Sequence, residues 1–200
     1  MPLLKHNNQS ISNVTSFAQV PAGDMKLLST ATASSSANIS FDSTYINEDY
    51  KIYKFEFINI HSSASTDFAF NLSTNGGSTY AVTKTTTHFS AYHDEGNTAT
   101  SLGYRTALDL AQSTAYQPIA EISTNSDDNI SGEMYLFNPS STTYVKHFIV
   151  RVNDTYVGYS EDRYTAGYGN TTSAINAIDF KMLSGNIDAG QIKLYGIGAN

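Results

Sequence analysis

Hydrophobic and polar residues alternate with a period of two along much of the chain, the pattern of β-strands with one buried face. The longest such run covers residues 50–60. Its aromatic residues lie on one face and its isoleucines on the other: Tyr53, Phe55 and Phe57 against Ile52, Ile58 and Ile60. Because both faces are apolar, we predict a central strand that is covered on both sides.

Shorter alternating runs predict strands in pairs, with turn residues between them. We predict hairpins that join residues 25–30 to 37–41, 68–72 to 80–82 through Asn75-Gly76-Gly77-Ser78, and 132–138 to 144–152 through residues 138–142. The last predicted pair is 178–182 with 191–197.

One helix is predicted, over residues 104–116. Leu102, Leu108 and Ala111 or Ala115 approximate a helical stripe, and Pro118 ends it.

Eight to ten short strands separated by turns indicate an all-β fold, an antiparallel β-sandwich. We expect the jelly-roll type, with a generic sandwich as the alternative. The 200 residues suit one domain. We therefore divide the chain into an extended N-terminal arm, residues 1–24, and a single jelly-roll-like domain, residues 25–200.

Composition supports this interpretation. Charged residues make up 14% of the chain, and Ser, Thr and Asn together make up about a third of it. These short polar side chains compete with helical hydrogen bonds, whereas the 14 tyrosines and 10 phenylalanines suit strands.

Charge and cysteine content exclude several classes of function. The chain has 11 Lys and Arg against 18 Asp and Glu, with no basic run, so nucleic acid is not an expected partner. The absence of cysteine excludes disulfides, thiolate metal sites and cysteine nucleophiles. No apolar run has the length of a signal peptide or a membrane span. We expect a soluble protein made in a cytoplasm, without membrane contact.

Two polar clusters are candidate ion sites. Residues 91–97, which include His93, Asp94 and Glu95, follow His88 and could bind a metal or transfer protons, but we interpret them as a polar loop after a strand. Asp127 and Asp128 resemble part of a calcium loop, or a solvated turn. We interpret His61 and His147 as structural, and we predict no metal, no cofactor and no catalytic residue.

A segment rich in tyrosine and glycine, residues 156–170, is the candidate binding loop. Tyrosine buries a large area and keeps a hydroxyl group for hydrogen bonding, which favours it at protein contacts and on carbohydrate platforms. The alternative is a loop whose rings close one end of the core. The candidate residues are Tyr156, Tyr159, Tyr164 and Tyr168.

Several stretches resemble a set of virion structural proteins of marine tailed bacteriophages, similar to those of cyanophages and pelagiphages. The resemblance rests on residues 14–29, 57–61, 91–95, 136–148, 176–182 and 185–197. These stretches are structural rather than catalytic, so the resemblance implies membership of a virion and transfers no active-site residue.

The resemblance implies a non-enzymatic protein of the virion, most simply an exterior capsid decoration or cement protein that acts through subunit contacts. The expected partners are further copies of the chain, as a trimer, and other virion proteins, either the major capsid protein or tail components. The arm would make these contacts through its apolar residues Val14, Phe17, Val20 and Pro21. The rival interpretation is a tail-fibre or spike module that binds host surface glycan through the exposed tyrosines. A virion enzyme that cleaves glycan is the third and weakest interpretation.

Overall fold

The computed structural model describes residues 25–199, which form strands and turns only. The predicted arm, with Val14, Phe17, Val20 and Pro21, lies outside the described residues. The twelve strands are β1 Met25–Thr32, β2 Ile39–Phe41, β3 Tyr50–Ser62, β4 Thr66–Ser73, β5 Lys84–Asp94, β6 Thr100–Tyr104, β7 Gln117–Ile122, β8 Ile130–Phe137, β9 Lys146–Tyr156, β10 Tyr159–Gly169, β11 Ala177–Met182 and β12 Ile187–Ala199.

The strands form two antiparallel sheets. The eight-stranded sheet has the order β1-β12-β3-β8-β9-β10-β5-β6, and the four-stranded sheet has the order β2-β11-β4-β7. The prediction of an all-β sandwich is confirmed, and its jelly-roll variety stays a prediction.

The apolar core lies between the two sheets and centres on Phe180 of β11. Its ring centroid lies 5.3 Å from those of Phe55 and Phe57 on the large sheet, and 6.0 Å from that of Phe68 on the small one. Aromatic side chains bury a large area, so this cluster ties the layers together.

Strand β3 is interior to its sheet, as predicted. Tyr53, Phe55 and Phe57 are buried in the core, whereas Ile52 and Ile58 on the other face are half-buried. The prediction for Ile60 was wrong: it is completely buried in the core, because the register of β3 against β8 shifts between Phe57 and Ile60. Within residues 25–199, no layer covers the second face of β3.

Two predicted strand pairings were also wrong, although the strands themselves exist. Strand β1 pairs with β12 in the large sheet, and β2 pairs with β11 in the small one. Residues 33–38 carry the chain over the rim between the sheets, where Ser36 bridges to Ile187. Strands β1 and β2 belong to different sheets, and so do β11 and β12. Neither pair can therefore form the predicted hairpin, 25–30 with 37–41 or 178–182 with 191–197.

The hairpin of residues 132–138 and 144–152 is confirmed, because β8 pairs with β9 in the register Leu136↔Phe148. The turn at Gly76 and Gly77 is confirmed too, with φ angles of 70° and 87°. The strand predicted at residues 80–82 does not form. One backbone bond, from Val82 N to Leu72 O at 3.3 Å, joins that segment to β4.

The predicted helix over residues 104–116 was wrong. Its backbone groups bond to β5 instead: Lys84 and Ser113 exchange two hydrogen bonds, and Thr86 N donates to Leu110 O. Gln112 has a φ of 48°, which a helix does not allow. The described residues contain no helix long and apolar enough to cross a membrane.

Candidate binding surfaces

A cleft opens on the inner face of the large sheet because four strands cannot cover eight. Strands lie about 4.8 Å apart, so the small sheet spans roughly half the width of the large one. Beyond its edge strand β7, the inner surface of β9, β10 and β5 borders a cavity of about 540 Å³. The cleft is lined by Tyr92, Tyr104, Arg105, Thr106, Ala107, Leu108, Glu121, Tyr156, Tyr159, Glu161 and Arg163.

The turn between β9 and β10 positions two of the predicted tyrosines. Val157 and Gly158 have φ angles of 49° and 80°, the conformation of a two-residue type I′ turn. This turn sets Tyr156 directly opposite Tyr159 at the mouth of the cleft. The buried carboxylate of Asp128 accepts a hydrogen bond from Val157 N at 3.0 Å and so holds the turn in place.

Aromatic rings form one wall of the cleft. The rings of Tyr159 and Tyr92 meet edge to face, with centroids 5.4 Å apart and planes at 79°. The Arg105 guanidinium carbon lies 5.8 Å from the Tyr92 centroid. No hydrogen bond within residues 25–199 engages the hydroxyl groups of Tyr92, Tyr156 or Tyr159, so these groups are available to a ligand.

A buried ionic network forms the floor of the cleft. Arg163 donates to Asp154 Oδ1 at 2.7 Å from Nε and to Glu161 Oε2 at 2.7 Å from Nη2. Arg105 donates to the other Glu161 oxygen at 2.7 Å and to Ser90 Oγ at 2.7 Å. Each polar group is therefore fixed in orientation before any ligand arrives.

Burial shifts the pKa values of groups in and beside this network. Loss of solvent raises the pKa of Asp154 to about 6, although Arg163 opposes the shift. Burial also lowers the pKa of His88 to about 4, and the positive charge of Arg163 adds to that effect. His88 Nδ1 hydrogen-bonds Thr165 Oγ1 at 2.8 Å, and Nε2 has no partner within the described residues.

The opposite face of the large sheet, which we call the outer face, has no layer of the described residues packed on it. Along β9, alternate side chains are exposed, from His147 to Asn153. Phe89 and Tyr164 stack in parallel there, with centroids 4.8 Å apart, and Arg151 lies 5.1 Å from the Tyr164 centroid.

Apolar side chains are distributed over the whole width of the outer face. The exposed ones belong to strands at both edges and in the middle of the sheet: Met25 and Leu27 on β1, Ile149 on β9, Phe89 on β5, and Leu102 on β6. Half-buried aromatic residues lie between them, among them Tyr135 and Phe137 on β8, whose rings stack with centroids 6.3 Å apart.

The four predicted tyrosines do not form one site. Tyr156 and Tyr159 line the cleft, whereas Tyr164 and Tyr168 project from the outer face of β10. The segment predicted as a loop is the end of β9, a tight turn and β10. An odd number of residues separates Tyr159 from Tyr164 along the strand, so their side chains lie on opposite faces.

Sequence reasoning missed the ionic network. Arg105, Asp154, Glu161 and Arg163 come from three separate stretches of chain, and no local motif links them. The available signal was the alternation of charge within β10, where Glu161 and Arg163 share a face while Tyr164 lies on the other.

The polar run at residues 91–97 is the end of β5 and its turn. His88 is buried on the inner face and His93 is exposed on the other, so the strand separates them. Asp94 accepts hydrogen bonds from the backbone of Thr98 and Ala99 at 2.8 and 2.6 Å. The carboxylate closes the turn.

The remaining sequence candidates have structural contacts. Asp128 accepts hydrogen bonds from Ser123 Oγ and from Val157 N, while Asp127 is exposed. His61 hydrogen-bonds the Asn125 carbonyl at 3.1 Å, and His147 is exposed beside Tyr168. Within residues 25–199, no three His, Asp or Glu side chains group as a metal site.

Comparison of the chain with family models, curated proteins and solved structures finds no match. The cleft and the outer face are therefore the features of the molecule that indicate a function.

Proposed function

We propose that the protein is a non-enzymatic structural subunit of a bacteriophage virion, an exterior decoration or cement protein that binds neighbouring subunits. The observation that carries the proposal is the outer face of the eight-stranded sheet, which presents apolar side chains from β1 to β6 without a covering layer in the described residues. Exposed apolar side chains gathered on one face, with polar groups around them, are typical of contact sites between proteins.

The charges of the outer face support its burial in an assembly. Lys54 forms ion pairs with Glu56 at 2.9 Å and with Glu133 at 3.0 Å. Arg151 binds both carboxylate oxygens of Asp162, at 3.2 and 2.9 Å. Because these charges are already paired within the subunit, less free energy is lost when a partner excludes water from the face.

The edge of the sheet offers a second route of contact. Strand β1 is an edge strand, so one side of its backbone has no partner strand within the described residues. The predicted arm leads directly into it. A segment of about 20 residues spans roughly 60 Å when extended, enough to cross a neighbouring subunit. We propose that the arm stabilises the assembly in this way.

The oligomeric state of the full chain tests the use of the outer face. Sedimentation velocity should give a trimer for the wild-type protein and a monomer for Ile149→Asp, because a carboxylate would have to be buried in the contact. Val157→Asp is the matched control, since Val157 is 54% exposed, compared with 50% for Ile149, but lies in the β9–β10 turn. A monomeric wild type, or a trimeric Ile149→Asp, would contradict the proposal.

Deletion of residues 1–20 tests the arm separately. If the arm binds neighbours, the truncated chain keeps its fold, measured by circular dichroism, and loses its incorporation into particles. Unchanged incorporation would remove the arm from the account and leave the outer face as the contact.

The cleft favours a second candidate function, binding of a host surface glycan by a fibre or spike module. It combines tyrosine ring faces, and hydroxyls that make no hydrogen bond within residues 25–199, with polar groups that are held rigidly, the combination that a polyhydroxylated ligand requires. A glycan array tests it. Tyr159→Ala should abolish any binding, whereas Tyr164→Ala, on the outer face, should not; equal loss in both variants would exclude the cleft.

The same network argues for binding rather than catalysis. Asp154 is completely buried and is occupied by Arg163, and both oxygens of Glu161 accept bonds from arginines. Glycoside cleavage needs one carboxyl group that reaches the substrate as an acid and a second that acts as a base or nucleophile. Neither carboxylate is placed for these roles.

A further inference from the structure

Lys84 is a completely buried lysine without a carboxylate partner among the described residues. Its Nζ donates to Asn71 Oδ1 at 2.5 Å and to the Val82 carbonyl at 2.8 Å. An isolated buried ammonium group is costly, so the amine favours its neutral, nucleophilic form. Burial accordingly lowers the pKa of Lys84 to about 7.

The carboxamide that Lys84 contacts is equally buried and is held at both ends. Asn71 Oδ1 also accepts a hydrogen bond from Leu72 N at 2.9 Å. Asn71 Nδ2 donates to the carbonyls of Tyr80 at 2.7 Å and Thr114 at 3.0 Å. Donors at Oδ1 polarise the C=O bond and would stabilise negative charge that develops on that oxygen during attack at Cγ.

We propose that Lys84 and Asn71 join in an intramolecular isopeptide bond after the chain folds. The Lys84 Nζ lone pair forms a bond to Asn71 Cγ, and the bond between Cγ and Nδ2 breaks. One amine proton passes to the departing Nδ2, which leaves as ammonia. The reaction exchanges one amide for another, so it needs no oxidant, reductant or other reactant.

The surroundings favour this step. Fixing both reacting groups in a water-free contact supplies the proximity that amide exchange lacks in solution. Asp179, the register partner of Asn71 on β11, is buried, but its carboxylate already accepts hydrogen bonds from Asn38, Ser40 and Tyr116, so the transferred proton passes directly from Nζ to Nδ2. The bond would link β5 of the large sheet to β4 of the small one. The two residues are 13 positions apart in a chain that has no cysteine and therefore no disulfide.

Lys146 provides an internal comparison. Lys84 and Lys146 both pair with Gly169 on β10, one on each side, and both are completely buried. However, Lys146 Nζ donates to the Thr171 carbonyl at 3.2 Å and to no side-chain amide in the described residues. Lys146 therefore has a similar environment without an electrophile.

Intact mass spectrometry of the denatured full-length protein tests the proposal. The wild-type chain should be lighter than its sequence mass by one molecule of ammonia, completely rather than in part. Lys84→Met and Asn71→Ala should have their sequence masses, whereas Lys146→Met should still lose one ammonia. A wild type at its sequence mass, or an ammonia loss that persists in Lys84→Met, would overturn the proposal.

A tryptic digest of the wild-type protein decides the matter even if a variant does not fold. Modification of Lys84 blocks cleavage after it, so residues 55–105 should be recovered as one peptide. In tandem mass spectrometry this peptide should give no fragment ions from backbone breaks between residues 71 and 84, because the isopeptide bond holds the two parts together. Succinimide formation at Asn75-Gly76 also releases ammonia but leaves Lys84 cleavable. Ammonia loss with normal cleavage after Lys84 would therefore contradict the isopeptide bond.

Discussion

At the scale of single residues, the stability of the protein depends on where each charge is placed. Arg163 and Arg151 each bind an aspartate with two hydrogen bonds, on opposite faces of the same sheet. The side chain of Arg163 is 3% exposed and that of Arg151 is 60% exposed. Burial, rather than geometry, distinguishes the two pairs.

We predict that Arg163→Met lowers the free energy of unfolding by about 3–5 kcal/mol, because it leaves the buried carboxyl group of Asp154 without its partner. Arg151→Met should cost about 1 kcal/mol or less, since water screens that pair. Urea unfolding measures both. Adding Asp154→Leu to Arg163→Met should restore much of the loss; equal effects of the two single substitutions would contradict this account of the network.

His88 should make stability depend on pH. Its pKa is about 4 in the folded chain and 6.5 when unfolded, because burial disfavours the charged ring. The unfolded state therefore binds more protons between these values, and the contribution of His88 to stability falls as pH drops from 6.5 to 4, by about 3 kcal/mol in all.

The variant His88→Asn isolates this contribution from those of other groups, such as Asp154, which acts in the opposite direction. We expect its deficit in unfolding free energy relative to wild type to shrink as pH falls from 6.5 to 4. His93→Asn, exposed on the same strand, is the control and should follow the wild type. A deficit that is constant with pH would contradict the assignment.

At the scale of elements, the β9–β10 turn contains a residue poorly suited to its conformation. Val157 has a φ of 49°, a region that β-branched residues rarely occupy, and its side chain is exposed. Val157→Asn should raise the free energy of unfolding by about 1–2 kcal/mol, since asparagine tolerates this conformation. Thermal denaturation measures the gain; a lower midpoint would show that Val157 makes a contact that exposure does not reveal.

How well the sequence predicts an element depends on whether one of its faces is apolar. Strand β3 and the β8–β9 hairpin are predictable because their core faces carry rows such as Tyr53, Phe55 and Phe57. The sequence predicts a loop where β10 lies, because the inner face of this strand carries Glu161, Arg163 and Thr165 in place of apolar residues and the hydrophobic alternation disappears. The charged residues of the ionic network thus removed the hydrophobic pattern by which β10 could have been predicted as a strand.

The pairing of strands was less predictable than the strands themselves. Local turn residues identify a hairpin when both strands lie in one sheet, as in β8 and β9. They carry no information about the pairing of β1 with β12, two strands that most of the chain separates in the sequence. The cleft follows from the same long-range arrangement, since it exists only where β7 forms the edge of the smaller sheet.

At the scale of the whole molecule, the unequal sheets give the protein two distinct surfaces. The inner surface beyond β7 forms a small polar cleft with tyrosine walls. The outer face of the large sheet is wide, rich in apolar side chains and internally neutralised. Its width suits contact with another protein, and the concave, partly polar lining of the cleft suits a small polar ligand.

The most direct test of the proposed function is an electron-microscopy map of the purified virion that contains this chain. The account predicts several hundred copies on the exterior of the head, with the outer face of the eight-stranded sheet buried against neighbouring subunits. A few tens of copies on the tail, with the outer face in solvent and the cleft directed away from the particle, would contradict it.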